Sequence, residues 1–251
     1  MTIKQLRSSA ELKSVEQLQR DVWGCADIDI LAPLSLRASL AAGALLLGAF
    51  DNETIIGFSY AFPALHNELH SDMTGILDAY RDKGIGYQLK LTQKDYAIRH
   101  GIQTITWTFD PLRSRNAYFN FNKLGATSDS YRVDFYGSDS TSFLHQNSTD
   151  RLWVTWRVDQ ERFGPNEIEG DLVVSRSESN APMRHQITLA EKAVIEIPLD
   201  PDALPIELAR EWRSVTRTAF LELFQDGFTV TGAKNGRYQL ERSATLKPVF
   251  A

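Results

Sequence analysis

The segment Arg81-Asp82-Lys83-Gly84-Ile85-Gly86 joins a predicted strand at residues 68–77 to a predicted helix at residues 85–100. Its two glycines let the backbone turn tightly and let a ligand come close to the main chain. The first N–H groups of the helix have no acceptor within the helix, and the helix dipole adds positive potential there. Together with the two basic side chains of the segment, these groups predict a loop that can bind a pyrophosphate.

The elements around this loop predict a mixed α/β layout. Residues 45–50 and 54–61 form a predicted hairpin, and residues 104–109 are rich in the β-branched and aromatic side chains typical of strands. Ser8 and Glu11 have the spacing of a capping box, which predicts a helix at residues 9–23. A short helix at residues 117–124 and a strand at residues 131–136 complete a central sheet with helices on its faces.

Two common nucleotide-binding motifs do not fit this loop. No Gly-Lys-Ser/Thr follows at the spacing that a Walker A loop needs. The dinucleotide fingerprint Gly-x-Gly-x-x-Gly also fails, because its third glycine position is Leu89. The helix after the loop has an incomplete apolar stripe, marked by Ile85, Leu89, Tyr96 and Ala97. An isolated Gly-x-Gly is typical of an ordinary strand-to-helix turn, so the loop needs further support.

That support comes from a resemblance to a known superfamily. The six residues of the loop resemble the GNAT acetyltransferase motif of Arg or Gln, two residues, Gly, one residue, then Gly or Ala. Farther along, Asn116-Ala117 followed by Lys123-Leu124-Gly125 resembles the second motif of the superfamily. The string from Trp107 to Leu112 resembles a bacterial group of predicted GNAT proteins of this length. The resemblance covers roughly the first 145 residues.

The resemblance implies an acyl-CoA cosubstrate, acetyl-CoA or another acyl-CoA. The main-chain N–H groups of the loop, Arg81, Asp82, Lys83, Gly84, Ile85 and Gly86, are then expected to bind its pyrophosphate. Main-chain groups near Ile76 and Leu77 are expected to pair with the pantetheine arm as an added strand would. Asn116 of the second motif is a further expected cofactor-binding residue, and its alternative role is to cap the helix that it opens.

The catalytic groups are less evident. The superfamily's usual tyrosine acid, four residues before the glycine of the second motif, is replaced by Phe121, which has no proton to give. Glu68, His70 and Asp72 alternate along one predicted strand, so they share a face and are candidate bases. Asp110 ends a strand where ligands often bind in α/β sheets. The alternatives are a solvent-facing polar edge for the first three and an ordinary Asp-Pro turn for Asp110.

The composition and charge of the chain argue against several other classes of protein. The net charge of -5 and the lack of a basic stripe argue against nucleic-acid binding. A single cysteine excludes a Cys-based metal cluster, and no metal site is expected. No signal peptide is evident and the most apolar run, residues 40–50, is too short to span a membrane, which makes a cytoplasmic location the default. The sequence leaves open whether the protein forms a homodimer.

The sequence thus predicts a GNAT-like domain at residues 1–148 and a C-terminal α+β extension at residues 149–251. The extension has the order strand, Asp-Pro, helix, Gly, strand, which repeats in part the order at residues 104–136. The expected activity is transfer of an acetyl or other acyl group from acyl-CoA to an amine of a small molecule or peptide by direct attack. The alternative is a non-catalytic acyl-CoA-binding or regulatory protein, which Phe121 favours.

Overall fold

A computed structural model describes residues 1–137, 148–186 and 191–242 of the chain. These residues form two compact units. Residues 1–107 and 157–160 belong to the first unit, and the other described residues belong to the second.

The first unit contains a mixed sheet and the helices that pack on it. Its elements are β1 (Thr2–Gln5), α1 (Ser9–Trp23), α2 (Pro33–Ala41), β2 (Leu45–Asp51), β3 (Thr54–Ala64), β4 (Glu68–Ile76), α3 (Ile85–Arg99) and the start of β5 (Thr104–Phe109). The strands follow the order β1-β2-β3-β4-β5, antiparallel from β1 to β4 and parallel between β4 and β5. Helix α3 is the crossover that a parallel pair requires. The expected mixed α/β sheet is confirmed.

Local signals set the limits of α1. The hydroxyl of Ser8 accepts a hydrogen bond from the Glu11 N–H (3.3 Å), and the Glu11 carboxylate accepts one from the Ser8 N–H (2.9 Å). Gly24 ends the helix in the left-handed conformation, with φ at 60°. The capping box and the helix predicted at residues 9–23 are therefore confirmed.

Alternation along β3 separates the two faces of the sheet in the first unit. Phe58 and Tyr60 belong to a buried hydrophobic cluster with residues of α1 and α2. Ser59, between them, points to the opposite face, where its hydroxyl accepts a hydrogen bond from the side chain of Gln93 on α3 (2.6 Å). One face is therefore apolar, and the face covered by α3 carries buried polar groups.

The second unit contains another sheet and a long helix. Its elements are α4 (Ser114–Ala117), a π-helix (Tyr118–Lys123), β6 (Thr127–Arg132), β7 (Arg151–Arg157), β8 (Asp171–Arg176), β9 (Pro182–Arg184), β10 (Lys192–Glu196), α5 (Ile206–Gln225), β11 (Phe228–Lys234) and β12 (Arg237–Arg242). Its strands follow the order β7-β6-β11-β12-β10-β8-β9. The C-terminal part is therefore α+β as expected, and its origin as a partial repeat stays a prediction.

One expectation for the second unit needs correction. The strand predicted at residues 131–136 lies at Thr127–Arg132 instead, because residues 133–136 form a turn in which Asp134 has a positive φ of 45°. The polar start of β6 pairs with β7, and the Ser128 hydroxyl donates to the carbonyl of Trp153 (2.7 Å).

The domain boundary predicted after residue 148 stays a prediction, and the compact units divide the chain at other places. Residues 108–137 pack with the C-terminal part of the chain. Phe121 contacts Tyr238 ring to ring, with centroids 6.0 Å apart, and the Tyr238 hydroxyl donates to the carbonyl of Pro111 (2.6 Å). The second motif of the resemblance therefore lies in the second unit, whereas the Gly-containing loop lies in the first.

Candidate active site

The parallel pairing of β4 with β5 is short. It joins Glu68 to Thr104, Leu69 to Ile105 and His70 to Thr106, and the two strands pair no farther. The rest of β4 continues to pair with β3, up to Gly57 opposite Ile76. From Ser71 onward, β4 therefore has one edge that is not paired with β5, and a peptide-like ligand can add to such an edge.

A β-bulge lies where the two strands part. On β3, Tyr60 pairs with Met73 and Phe62 pairs with His70, so the single residue Ala61 lies opposite both Ser71 and Asp72. Such an extra residue interrupts the alternation of side chains along the strand. The expected common face of Glu68, His70 and Asp72 therefore ends at His70.

The main chain at the end of β4 distinguishes Ile76 from Leu77. The Leu77 N–H donates to the carbonyl of Ile56 (3.0 Å), and the Leu77 carbonyl accepts from the N–H of Tyr80 (2.8 Å). Both main-chain groups of Leu77 therefore bond within the protein, which favours Ile76 over Leu77 as the residue that would pair with a pantetheine arm. Because successive residues of a strand direct their main-chain groups to opposite edges, those of Ile76 face away from β3.

The Gly-containing loop has the backbone that the sequence predicts. Gly84 is the N-cap of α3 with φ at 76°, and no side chain caps the helix there. The Gln88 N–H donates to the Gly84 carbonyl (3.1 Å), so the helix supplies no acceptor for the N–H groups of Ile85 and Gly86. A Cβ atom on Gly84 or Gly86 would meet no neighbouring atom within 4 Å. The space above these two residues is open to a ligand that approaches the main chain.

The charged side chains of the loop are exposed and make local contacts. Arg81 forms an ion pair with Asp78 (2.7 Å) and donates from Nε to the Ile76 carbonyl (3.4 Å). The Nζ of Lys83 lies 4.8 Å from the centre of the Tyr80 ring. Asp82 adopts a positive φ of 63°, which bends the chain just before Gly84. The hydrogen-bond donors that the loop presents close together are therefore its main-chain N–H groups and not its charged side chains.

Lys90 occupies the point where β4 and β5 part. Its Nζ donates to the hydroxyl of Ser71 (2.8 Å) and lies 3.9 Å from the ring centre of Trp107, so it contacts the next residue on each strand after the last pair. The Ser71 hydroxyl donates to the side-chain oxygen of Gln93 (3.0 Å). Lys90 is almost fully buried, and burial lowers the pKa of its amine to about 7.

The candidate bases on β4 differ in their surroundings. His70 is buried, its Nδ1 lies 3.0 Å from the Thr106 hydroxyl, and burial followed by the charge of Lys90 lowers its pKa to about 4. The Asp72 side chain reaches solvent, yet the protein around it raises the pKa of its carboxyl. Glu68 is half-buried at the first pair of β4 and β5. Near neutral pH, His70 is uncharged.

Asp110 has a structural role in the second unit. Its carboxylate accepts from Arg213 (2.7 Å) and from the Leu112 N–H (2.9 Å). Burial alone opposes ionisation, but the charge of Arg213 outweighs it and holds the pKa of Asp110 below its usual value. A carboxylate held in this way is a poor proton acceptor, so the expected catalytic role of Asp110 is not supported.

The other predicted residues of the second motif also lie in the second unit. Asn116 is exposed in α4. Phe121 is fully buried in the π-helix and packs against Phe109 (5.8 Å between ring centroids) as well as Tyr238. Tyr118, three residues earlier, is exposed. Phe121 is therefore a core residue, and the position of the usual acid has no ionisable group.

Comparison with known proteins agrees with this geometry. Residues 12–125 match the model of the Acetyltransferase (GNAT) family. This part of the chain is a GNAT domain. The match includes the loop at Gly84 and Gly86 and the second motif at Asn116. No curated protein matches the sequence.

Solved structures share the GNAT fold. The ribosomal-protein-S18-alanine N-acetyltransferase of Escherichia coli has a TM-score of 0.50 at 13% identity, over 67% of this chain and 99% of its own. A GNAT family acetyltransferase of Elizabethkingia anophelis with acetyl-CoA bound has 0.50 at 16%, over 62% and 97%. An aminoglycoside 6'-N-acetyltransferase complexed with coenzyme A has 0.50 at 14%, over 64% and 99%. At these identities the likeness shows the fold alone.

Within residues 1–137, 148–186 and 191–242, no cluster of three or more His, Cys, Asp or Glu side chains is placed to hold a metal ion. In the same ranges, no helix combines the length and the apolar character that crossing a membrane requires.

Proposed function

We propose that this protein transfers an acyl group from acyl-CoA to an amine. The observation that carries the proposal is the loop at the start of α3, where Gly84 and Gly86 leave open space above uncapped main-chain N–H groups. Such a helix start favours a pyrophosphate because its donors and its dipole both attract negative charge. The loop directly follows β4, whose edge is not paired with β5 beyond His70, and this edge suits a pantetheine arm.

In the proposed reaction the acceptor amine attacks the thioester carbonyl. A C–N bond forms, the C–S bond breaks, and CoA leaves as a thiolate that takes up a proton. Main-chain N–H groups on the open edge of β4 would stabilise the oxyanion that forms in between. The ammonium must first lose a proton, and His70, Asp72 and Glu68 are the candidate acceptors on β4. Asp72 fits best, since its raised pKa brings it closer to neutral pH.

Calorimetric titration with acetyl-CoA tests the loop. Gly84→Glu adds a side chain and a negative charge at the proposed pyrophosphate, and we expect binding to become undetectable. Gly101→Glu is the matched control, because Gly101 also has a positive φ, at 70°, open space around its Cβ position, and a place at the opposite end of α3. Both variants carry a similar backbone strain of about 1–2 kcal/mol. Retained binding in Gly84→Glu would rule out this site.

The buried Phe121 favours a second candidate, a protein that binds acyl-CoA without catalysis. An assay of CoA thiol release distinguishes the two. An amine panel can begin with an aminoglycoside and an alanine-terminated peptide, the acceptors suggested by the names of two proteins with the same fold. Thiol release that depends on an amine supports transfer. Tight acetyl-CoA binding without release across the panel supports the non-catalytic binder.

A further inference from the structure

The amine of Lys90 is buried without a carboxylate partner. In the described part of the chain, its Nζ has one hydrogen-bond acceptor, the Ser71 hydroxyl at 2.8 Å, and it lies 3.9 Å from the ring centre of Trp107. Burial lowers the pKa of the amine to about 7, and no acidic side chain offsets that effect. Because an apolar side chain at this position would avoid the cost of burying an amine, packing alone does not account for Lys90.

The hydrogen bonds around Lys90 do not require it either. The Ser71 hydroxyl donates to the side-chain oxygen of Gln93 (3.0 Å), and the side-chain nitrogen of Gln93 donates to the Ser59 hydroxyl (2.6 Å). These bonds link α3 to β4 and β3 without the amine. What Lys90 adds to this face of the sheet is a side chain that can carry positive charge.

The place of the amine relates it to the proposed cosubstrate, so the following inference rests on the proposed function. The last pair of β4 and β5 joins His70 to Thr106, and the next residues, Ser71 and Trp107, mark the narrow end of a gap between the two strands. The unpaired edge of β4 runs from this end to Ile76, next to the loop at the start of α3. An arm that leaves a pyrophosphate at the loop and follows this edge carries its sulfur towards Ser71.

A charge at the narrow end of the gap acts on a sulfur there without touching it. Lys90, Ser71 and Trp107 are all almost fully buried, and away from water a Coulomb interaction is screened much less than in bulk solvent. His70, the other ionisable side chain at this end, is uncharged near neutral pH because its pKa is lowered to about 4. A thiolate nearby would in turn favour the charged form of Lys90.

We propose that the ammonium of Lys90 stabilises the thiolate of CoA at the narrow end of the gap. When the C–S bond of the thioester breaks, its electron pair stays on the sulfur, next to this positive charge. Lys90 transfers no atom in the step, and the proton that the thiolate finally takes up balances one that the attacking amine releases. A charge on α3 thus lowers the need for the acid that Phe121 cannot supply.

The ionisation of bound CoA tests this inference without a known acceptor. The thiolate absorbs in the ultraviolet, so its absorbance is followed as the pH of the complex rises from about 6 to about 10, across the ordinary pKa of a thiol. The same protein with desulfo-CoA, in which hydrogen replaces the thiol, is the blank, because Cys25 and the tyrosines also absorb when ionised. We expect the pKa of the thiol to be lower in the complex than in free CoA by at least about one pH unit, a tenfold larger ionisation constant.

Three variants show whether this shift comes from Lys90. Lys90→Met removes the amine, and Lys90→Gln removes the charge but keeps a donor for the Ser71 hydroxyl. In both variants the pKa of the bound thiol should return to that of free CoA, whereas Lys13→Met, at an exposed lysine of α1, should leave it as in the wild type. All three should bind desulfo-CoA as the wild type does, because the loop at Gly84 is unchanged.

The outcomes separate this inference from the proposed function. CoA that binds the wild type with an unshifted thiol would overturn the role of Lys90 and leave the acyl-CoA site intact. A shift that persists in Lys90→Gln and Lys90→Met would also overturn it, and would assign the effect to the dipole of α3. A wild type that binds neither CoA nor desulfo-CoA would contradict the proposed function itself.

Discussion

Replacing Lys90 by methionine perturbs the buried amine between β4 and β5 while keeping a side chain of similar length. In the unfolded chain a lysine keeps its proton up to a pKa of about 10.4. In the folded protein Lys90 releases it at about 7, because burial penalises the ammonium. Between these two pH values the unfolded state binds more protons, so the stability of the wild type rises with pH. The variant lacks this group and should lack this part of the pH dependence.

The size of this pH-dependent difference in stability follows from the lowered pKa of Lys90. Linkage gives a slope of at most about 1.4 kcal/mol per pH unit for one proton. From pH 7 to pH 9, the wild type should therefore gain about 2 kcal/mol relative to Lys90→Met. The Trp107 ring 3.9 Å from the amine attracts the charged form and offsets part of this gain, which makes 2 kcal/mol an upper limit.

Urea unfolding at pH 7, 8 and 9 measures the difference. Lys13→Met is the matched control, because Lys13 is exposed on α1. We expect the stability of this control to follow that of the wild type at every pH. A constant difference between the wild type and Lys90→Met from pH 7 to pH 9 would refute a buried neutral amine, and the position of Lys90 between the strands would then need another explanation.

Two further results are expected from the other buried ionisable groups. The pKa of His70 is lowered to about 4, so the folded protein should lose stability as the pH falls from 6.5 towards 4, and urea unfolding of His70→Gln should show a smaller loss. Asp110→Asn should lower the free energy of unfolding by about 3 kcal/mol, because it leaves the buried Arg213 without its counter-charge. An equally stable Asp110→Asn variant would contradict the structural role of this carboxylate.

The parts of the fold that the sequence predicts correctly depend on local signals. The capping box at Ser8 and Glu11 sets the start of α1, and Gly24 sets its end. The turn after residue 50 defines the hairpin of β2 and β3. The strand at Phe228–Lys234 is not part of the prediction, although Thr229 and Thr231 alternate with apolar residues and the strand forms a local hairpin with Arg237–Arg242.

The candidate site likewise combines local features, which the sequence predicts, with features set by strand pairing, which it does not predict. The positive φ of Gly84 and the helix start after it are local, and the motif predicts them. The engagement of Leu77 and the bulge opposite Ala61 depend on how β3 pairs with β4, and no short pattern encodes that register. The incomplete apolar stripe of α3 is a sequence signal for the buried Lys90, because Lys90 and Gln93 face inward where apolar residues are otherwise expected.

The polar face of α3 gives a physical reason for the place where β4 leaves β5. An apolar core constrains the register of the strands through the side chains that it buries, and a hydrogen-bonded core requires in addition that each donor meets its acceptor. Ser71 is one of the two bulged residues, and its hydroxyl accepts from Lys90 and donates to Gln93, which in turn donates to Ser59 on β3. Moving the bulge by one residue would turn Ser71 to the opposite face and leave the Lys90 amine buried without an acceptor. The network therefore holds the bulge, and with it the unpaired edge of β4, at one position along the strand.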